Sequence, residues 1–134
     1  DEYYRLLRAV SEENAWEDWV TYVATGVSES AQSALYLAEQ VLEARDLLEA
    51  AIRTDHARMP AVDVATLLNR QPYARIDDIV ELGLAKRATA SSWLNELADA
   101  GLVVRQKIGR GLVFINVNLL NRIFTISDSG AADG

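Results

Sequence analysis

Apolar residues recur along this chain mostly at helical intervals. In EYYRLLRAV they fall at Tyr3, Leu6, Leu7 and Val10, positions that about 3.6 residues per turn bring onto one face. AWEDWVTYVATGV repeats the spacing with Trp16, Trp19, Val20 and Val23. Gly26 is a natural stop for that second helix, and Ser28 an N-cap for a third, because its hydroxyl can accept an orphan amide of the first turn. The third helix carries Ala34, Leu37, Ala38, Val41, Leu48 and Ile52 as its stripe, widened by Leu35 and Leu42, and runs to about Arg53 before TDHARMP breaks it.

Beyond Met59 the segments shorten. MPAVDVATLLNRQ predicts a helix with Val64, Leu67 and Leu68 inward, and Pro60 suits its first turn. PYARIDDIVELG predicts a second helix closed by Gly83, and KRATASSWLNELADAG a third closed by Gly101. LVVRQKIGRGLVFINV then places two β-branched and aromatic runs around Gly109-Arg110-Gly111, a hairpin signal. NLLNRIF predicts a last helical turn, and the polar SDSGAADG a disordered tail. The fold expected is mainly α: a helical segment over 1–58, a winged helix-turn-helix with a small hairpin wing over 59–125, and a tail over 126–134.

Charge separates the same regions. Residues 1–58 hold 5 Lys or Arg against 12 Asp or Glu, whereas 59–125 hold 8 against 6. The whole chain is acidic at -7, but its second module is mildly basic, which points to two modules with different partners. The absence of cysteine excludes disulfides and thiolate metal sites. There is no apolar run of the ~18–20 residues a spanning helix needs, and no signal peptide opens the chain. A cytoplasmic location without a membrane partner is therefore expected. The sequence enters helical pattern directly at Asp1 without a methionine, and is read as a piece of a longer protein.

In a helix-turn-helix the second helix enters the major groove, N-terminal residues nearest the bases. With Ala90, Leu94, Leu97 and Trp93 turned to the core, Ala88, Ser91, Ser92 and Asn95 face outward, with Lys86 and Arg87 at the entry turn and Thr89 in the first turn. Hydroxyl and amide side chains bond phosphates or base edges, and cations attract the backbone. Arg105, Lys107 and Arg110 make the wing basic, as a phosphate or minor-groove contact requires. Lys86, Arg87, Thr89, Ser91, Ser92, Asn95, Arg105, Lys107 and Arg110 are thus the candidate duplex-DNA contacts. The same residues also suit a protein-docking module, since serines and lysines are ordinary solvated positions.

No catalytic or metal-binding residue is assigned. His56, the one histidine, stands beside Asp55 and Arg58 in a break between helices and reads as a solvated polar residue. The acidic clusters at 12–14 and 17–19 lack a partner histidine, metal-ligand spacing or phosphate loop and suit a solvated face or a helix first turn instead. Gly109-Arg110-Gly111 is too short to cradle phosphate, and Trp16, Trp19 and Tyr22 read as helix packing.

Two stretches carry a resemblance. YYRLLRAVSEENAWEDWVTYVATGV followed by a long helix resembles the C-terminal helices of Fic-family proteins. GLAKRATASSWLNELADAGLV and IGRGLVFIN are similar to the winged helix appended to many bacterial members, through Gly83, Ala85, Lys86, Arg87, Thr89, Ala90, Ser91, Leu94, Leu97, Gly109, Arg110, Phe114, Ile115 and Asn116. The resemblance spans roughly residues 2–125. It implies that the complete protein is an adenylyltransferase that moves AMP from ATP, with magnesium, to a hydroxyl side chain of a target protein. The family's catalytic signature is a histidine, a phenylalanine two residues on, and an acidic-Gly-Asn-Gly-Arg loop. That signature is absent here, since His56 is followed by ARMP. The inhibitory Ser/Thr-x-x-x-Glu-Gly/Asn motif is missing too, TGVSES ending in Ser30. Both would lie upstream of Asp1, so the piece itself is expected to be catalytically inert and to hold no cofactor. Torn from its core, a long amphipathic helix would favour homo-oligomers or a protein target. The alternative is a small winged-helix transcriptional regulator with a helical dimerisation region.

Overall fold

The computed structural model describes the backbone of residues 1–131 and the side chains of residues 1–126. The chain divides into two compact units, Asp1–Ala38 and Glu39–Gly134. The expected boundary at 58/59 falls later, after the end of a long helix that contributes to both units.

In the first unit, α1 (Glu2–Glu13) starts at Asp1, whose carboxylate accepts from the Tyr3 amide at 3.1 Å, and ends at Asn14 in the left-handed conformation (φ 56°). Asn14 also accepts from the Trp16 indole N–H at 2.9 Å, fixing the corner into α2 (Trp16–Asp55). Tyr3, Trp19 and Tyr22 form a ring ladder, with centroids 5.2 and 6.4 Å apart. Leu6 is the buried side chain of this unit. Arg5 donates to Glu2 through Nε at 2.9 Å, and that hydrogen bond, reinforced by charge, holds the Glu2 carboxyl below its ordinary range.

The stop at Gly26 and the cap at Ser28 do not occur. α2 is one helix of 40 residues, and Gly26 is an interior position with open space around it. An interior glycine costs only about 1 kcal/mol, and no proline stands between Trp16 and Asp55 to break the ladder. The Ser28 hydroxyl instead accepts from the Gln32 side-chain Nε2 at 3.5 Å along the helix.

The second unit contains the final turns of α2, then α3 (Ala61–Arg70), β1 (Tyr73–Ala74), α4 (Ile76–Glu81), α5 (Arg87–Asp99), β2 (Val104–Ile108), β3 (Gly111–Ile115) and α6 (Val117–Ala131). Pro60 caps α3 in extended conformation. The Arg75 amide donates to Asp78 Oδ2 at 2.7 Å, a carboxylate three residues into α4 reaching back to its start. Gly83 (φ 72°) and Gly101 (φ 76°) close α4 and α5 in a conformation that Cβ-bearing residues disfavour. This order of helices followed by a hairpin is the expected winged helix-turn-helix. Its sheet holds one strand more than expected: Tyr73 and Ala74 lie in a strand rather than a helix, pairing antiparallel with Ile115 and Phe114. The sheet order is β1-β3-β2.

One apolar core joins these elements. Leu48 and Ile52 of α2 pack with Val64 and Leu68 of α3, Ile79 of α4, Ala90, Leu94 and Leu97 of α5, and Phe114 of β3. Asn116 is the buried polar residue among the described residues: its Nδ2 donates to the Leu68 carbonyl at 3.2 Å and its Oδ1 accepts from the Leu119 amide at 3.2 Å. It thereby caps α6 while satisfying α3. Arg122 Nη1 on α6 donates to Gln40 and Glu43 of α2, both at 2.7 Å. α6 continues through Ala131, so the tail expected from 126 is helical at least that far; residues 132–134 lie outside the described residues. No described helix is long and apolar enough to cross a membrane.

Candidate functional site

α5 exists because Ala90, Leu94 and Leu97 share one face, and all three are fully buried. About 3.6 residues per turn then places Ser91 and Asn95 on one shoulder of the helix, Thr89, Trp93 and Glu96 on the other, and Ala88 and Ser92 outward. Trp93 packs half-buried against the core, as its spacing predicts. Ala88, Thr89 and Ser92 are exposed, while Ser91 and Asn95 are half-buried. Asn95 Nδ2 donates to the Ser91 carbonyl at 2.8 Å and reaches its Oγ at 3.4 Å, so these two side chains are engaged with each other.

The nine candidate contacts are not equivalent. Arg87, on the first turn of α5, is ion-paired with Asp77 of α4 across the turn of the helix-turn-helix. Arg105 of β2 is ion-paired with Asp99 of α5 and also donates to the Asn95 carbonyl at 3.3 Å. It thereby ties the wing to the first shoulder of α5. Lys86 precedes the helix and is exposed, and Lys107 and Arg110 lie on the exposed hairpin. None of these three pairs with a carboxylate among the described residues. The cationic groups open to a partner are therefore Lys86 at one end and the wing tip at the other, with Ser92 and Thr89 between them in sequence. Gly109 (φ 61°) makes the tip turn that presents Arg110.

The other shoulder of α5 was invisible to local pattern. His56, expected to be solvated, has a side chain only 8% exposed, and its Nδ1 lies 2.7 Å from Oε1 of Glu96. The backbone supports this placement: the His56 amide donates to the Ile52 carbonyl at 2.8 Å, and its carbonyl accepts from the Met59 amide at 2.9 Å. Between this turn and α5 opens a cleft of about 690 Å³ lined by Asp55, His56, Arg58, Thr89, Ser92 and Trp93, among others. His56 and Glu96 are 40 residues apart, which is why no motif spacing joins them. The only sequence signal was the i, i+4 step from Ser92 to Glu96, which puts both near one line of the helix.

No group of three or more His, Cys, Asp or Glu side chains able to hold a metal occurs among the described residues.

A family model described as the C-terminal domain of SoFic-like protein adenylyltransferases matches residues 45–119. The match covers more than half of the chain and begins inside α2, so it takes in Leu48 and Ile52, the α2 residues that complete the winged-helix core.

Proposed function

This chain belongs to the family of SoFic-like protein adenylyltransferase C-terminal domains, and from that membership we propose that it is the accessory, non-catalytic portion of an enzyme that transfers AMP to protein hydroxyls in the cytoplasm. Its own task is to hold that enzyme on duplex DNA. The observation that carries the DNA reading is a group of cations on this face that make no ion pair among the described residues: Lys86 before α5, and Lys107 and Arg110 on the wing, beside the exposed hydroxyls of Thr89 and Ser92. A duplex laid along α5 would meet Lys86 and the wing as phosphate contacts, with Ser92 nearest the base edges.

Fluorescence anisotropy with a labelled duplex tests this. Binding should weaken steeply with salt, and Lys86→Ala, Lys107→Ala and Arg110→Ala together should flatten the log–log salt slope by about 2–3, near 0.9 per phosphate lost. Absence of binding at low salt would remove the DNA reading.

A docking role has its own support. Arg87 and Arg105 are neutralised within the domain, and Leu82, Ile108 and Leu112 are exposed apolar residues around the turn and wing. In that reading the same face meets protein, and a partner's affinity would change little with salt. The AMP-transfer assignment predicts no labelling of this chain or any target when it is incubated alone with ATP and magnesium.

A further inference from the structure

We infer that the cleft between the 55–59 turn and α5 is a binding site for a guanidinium group, the side chain of an exposed arginine on a partner protein. The site stands apart from the duplex reading, because what lines it is rich in hydrogen-bond acceptors and short of positive charge.

The cleft holds about 690 Å³ between Asp55, His56 and Arg58 of the turn and Thr89, Trp93 and Glu96 of α5. Two carboxylates against one cation leave this lining one charge negative, so it attracts a cation and repels phosphate. His56 adds an acceptor to the wall. Its side chain is only 8% exposed, and its Nδ1 lies 2.7 Å from Oε1 of Glu96. A carboxylate only accepts, so in the neutral imidazole Nδ1 carries the hydrogen and Nε2 a lone pair. No hydrogen bond among the described residues reaches that Nε2. Asn69 Oδ1 is the sealed, partnerless side-chain atom among the described residues, so Nε2 keeps an opening, through the cleft that His56 lines. A mostly buried acceptor without a donor is what a ligand N–H would satisfy.

The remaining wall groups select the ligand. Asp55 makes no ion pair or side-chain hydrogen bond with a described residue, and only Oε1 of Glu96 is engaged. Acceptors therefore stand on both walls, with the half-buried Trp93 among them. A guanidinium is planar, offers five N–H donors, sheds water more readily than an ammonium and stacks on indole. Those properties favour arginine over lysine here. Arg58, exposed and without an ion pair among the described residues, opposes such a ligand, which gives its removal a definite sign.

The test is a nuclear magnetic resonance titration of the full chain with acetyl-Gly-Arg-Gly amide, and with matching peptides carrying lysine or the uncharged citrulline. The readouts are the Trp93 indole N–H and the His56 ring nitrogens. The indoles of Trp16 and Trp19, which lie at the start of α2, serve as internal controls. The arginine peptide should shift the Trp93 and His56 signals saturably and leave Trp16 and Trp19 in place. The citrulline peptide should bind at least about fivefold more weakly, and the lysine peptide more weakly than arginine. Asp55→Asn should weaken arginine-peptide binding about two- to fivefold, and Arg58→Ala should strengthen it about twofold, the scale of partly exposed charge contacts. Both positions are exposed, so neither change threatens the fold. Glu29→Gln, which removes an exposed carboxylate elsewhere on α2, should match wild type. Unmoved Trp93 and His56 signals, equal binding of the citrulline or lysine peptide, unchanged affinity in Asp55→Asn, an equal loss in Glu29→Gln, or weaker binding in Arg58→Ala overturns the site. None of these results alters the duplex reading, which uses neither Asp55 nor Arg58.

Discussion

The two units of this chain spend similar sequences in opposite ways. Residues 1–38 contain Tyr3, Tyr4, Trp16, Val20, Val23, Val27, Leu35 and Tyr36, yet all of these are exposed and Leu6 is what the unit buries. Residues from Glu39 on bury Leu48, Ile52, Val64, Leu68, Ile79, Leu94, Leu97 and Phe114 in one core. Helical amphipathicity is present in both. What differs is whether the chain supplies a second surface to meet the stripe: in the second unit α3, α4, α5 and the sheet close over the last turns of α2, and in the first only α1 packs on the first turns. A periodic stripe thus states that a face wants burial, not that its partner lies within the same unit.

The difference can be broken most severely at Phe114. Phe114→Ala should cost about 3–5 kcal/mol, the range for emptying a filled aromatic site, read as a lowered denaturant midpoint of the second unit. A loss below 1 kcal/mol would mean that the core is not the continuous body described above.

Leu6→Ala removes the one buried anchor of the first unit. By the same cavity and transfer terms the local cost is about 2–3 kcal/mol, but it should appear as faster amide exchange in α1 and leave the second unit's midpoint unmoved. A matching drop in that midpoint would erase the distinction between the units. Asn116→Ala should cost about 1–3 kcal/mol, since the Leu68 carbonyl and the Leu119 amide both lose their partner. Replacing Val27 and Leu35 by serine should stay within about 0.5 kcal/mol each, the range for exposed sites. Those changes should also reduce any concentration-dependent self-association.

The smallest effect concerns Glu2. Its folded carboxyl pKa is lowered by the hydrogen bond and charge of Arg5. The contact is therefore present above the ordinary carboxylate range and is lost as pH falls through the depressed value. A carbon-detected titration should place its midpoint below the usual ~4.3, and a midpoint at the usual value would remove that contact from solution.

Much of the second unit could be read from its spacing. Val64, Leu67 and Leu68, then Ala90, Leu94 and Leu97, recur with helical period, and Gly83 and Gly101 mark the ends where φ turns positive. The strand at Tyr73–Ala74 escaped because two residues have no alternation to display, and only its pairing with Phe114 and Ile115 defines it. Gly26 misled because a glycine signals a stop only where the ladder actually ends, and α2 passes through it. Composition alone made 126–134 a tail, but α6, capped by Asn116 and tied to α2 through Arg122, carries helix to Ala131.

The site was legible to a lesser degree, for a related reason. The outward positions Ala88 and Ser92 follow from helix geometry, whereas pairing depends on what stands opposite. Arg87 and Arg105 looked as available as Lys107 and Arg110 until Asp77 and Asp99 were brought alongside them. His56 looked solvated until Glu96 was.

Hydrogen exchange followed residue by residue, with and without duplex DNA, addresses the central claim that the second unit holds both the complete core and the partner face. Alone, amides around Ile52, Leu68, Leu94 and Phe114 should exchange slowest, and those of residues 1–38 much faster. Duplex should then slow exchange over 86–95 and 107–111, leaving 1–38 unchanged. Equal protection across both units, or a duplex footprint on residues 1–38, would contradict the account.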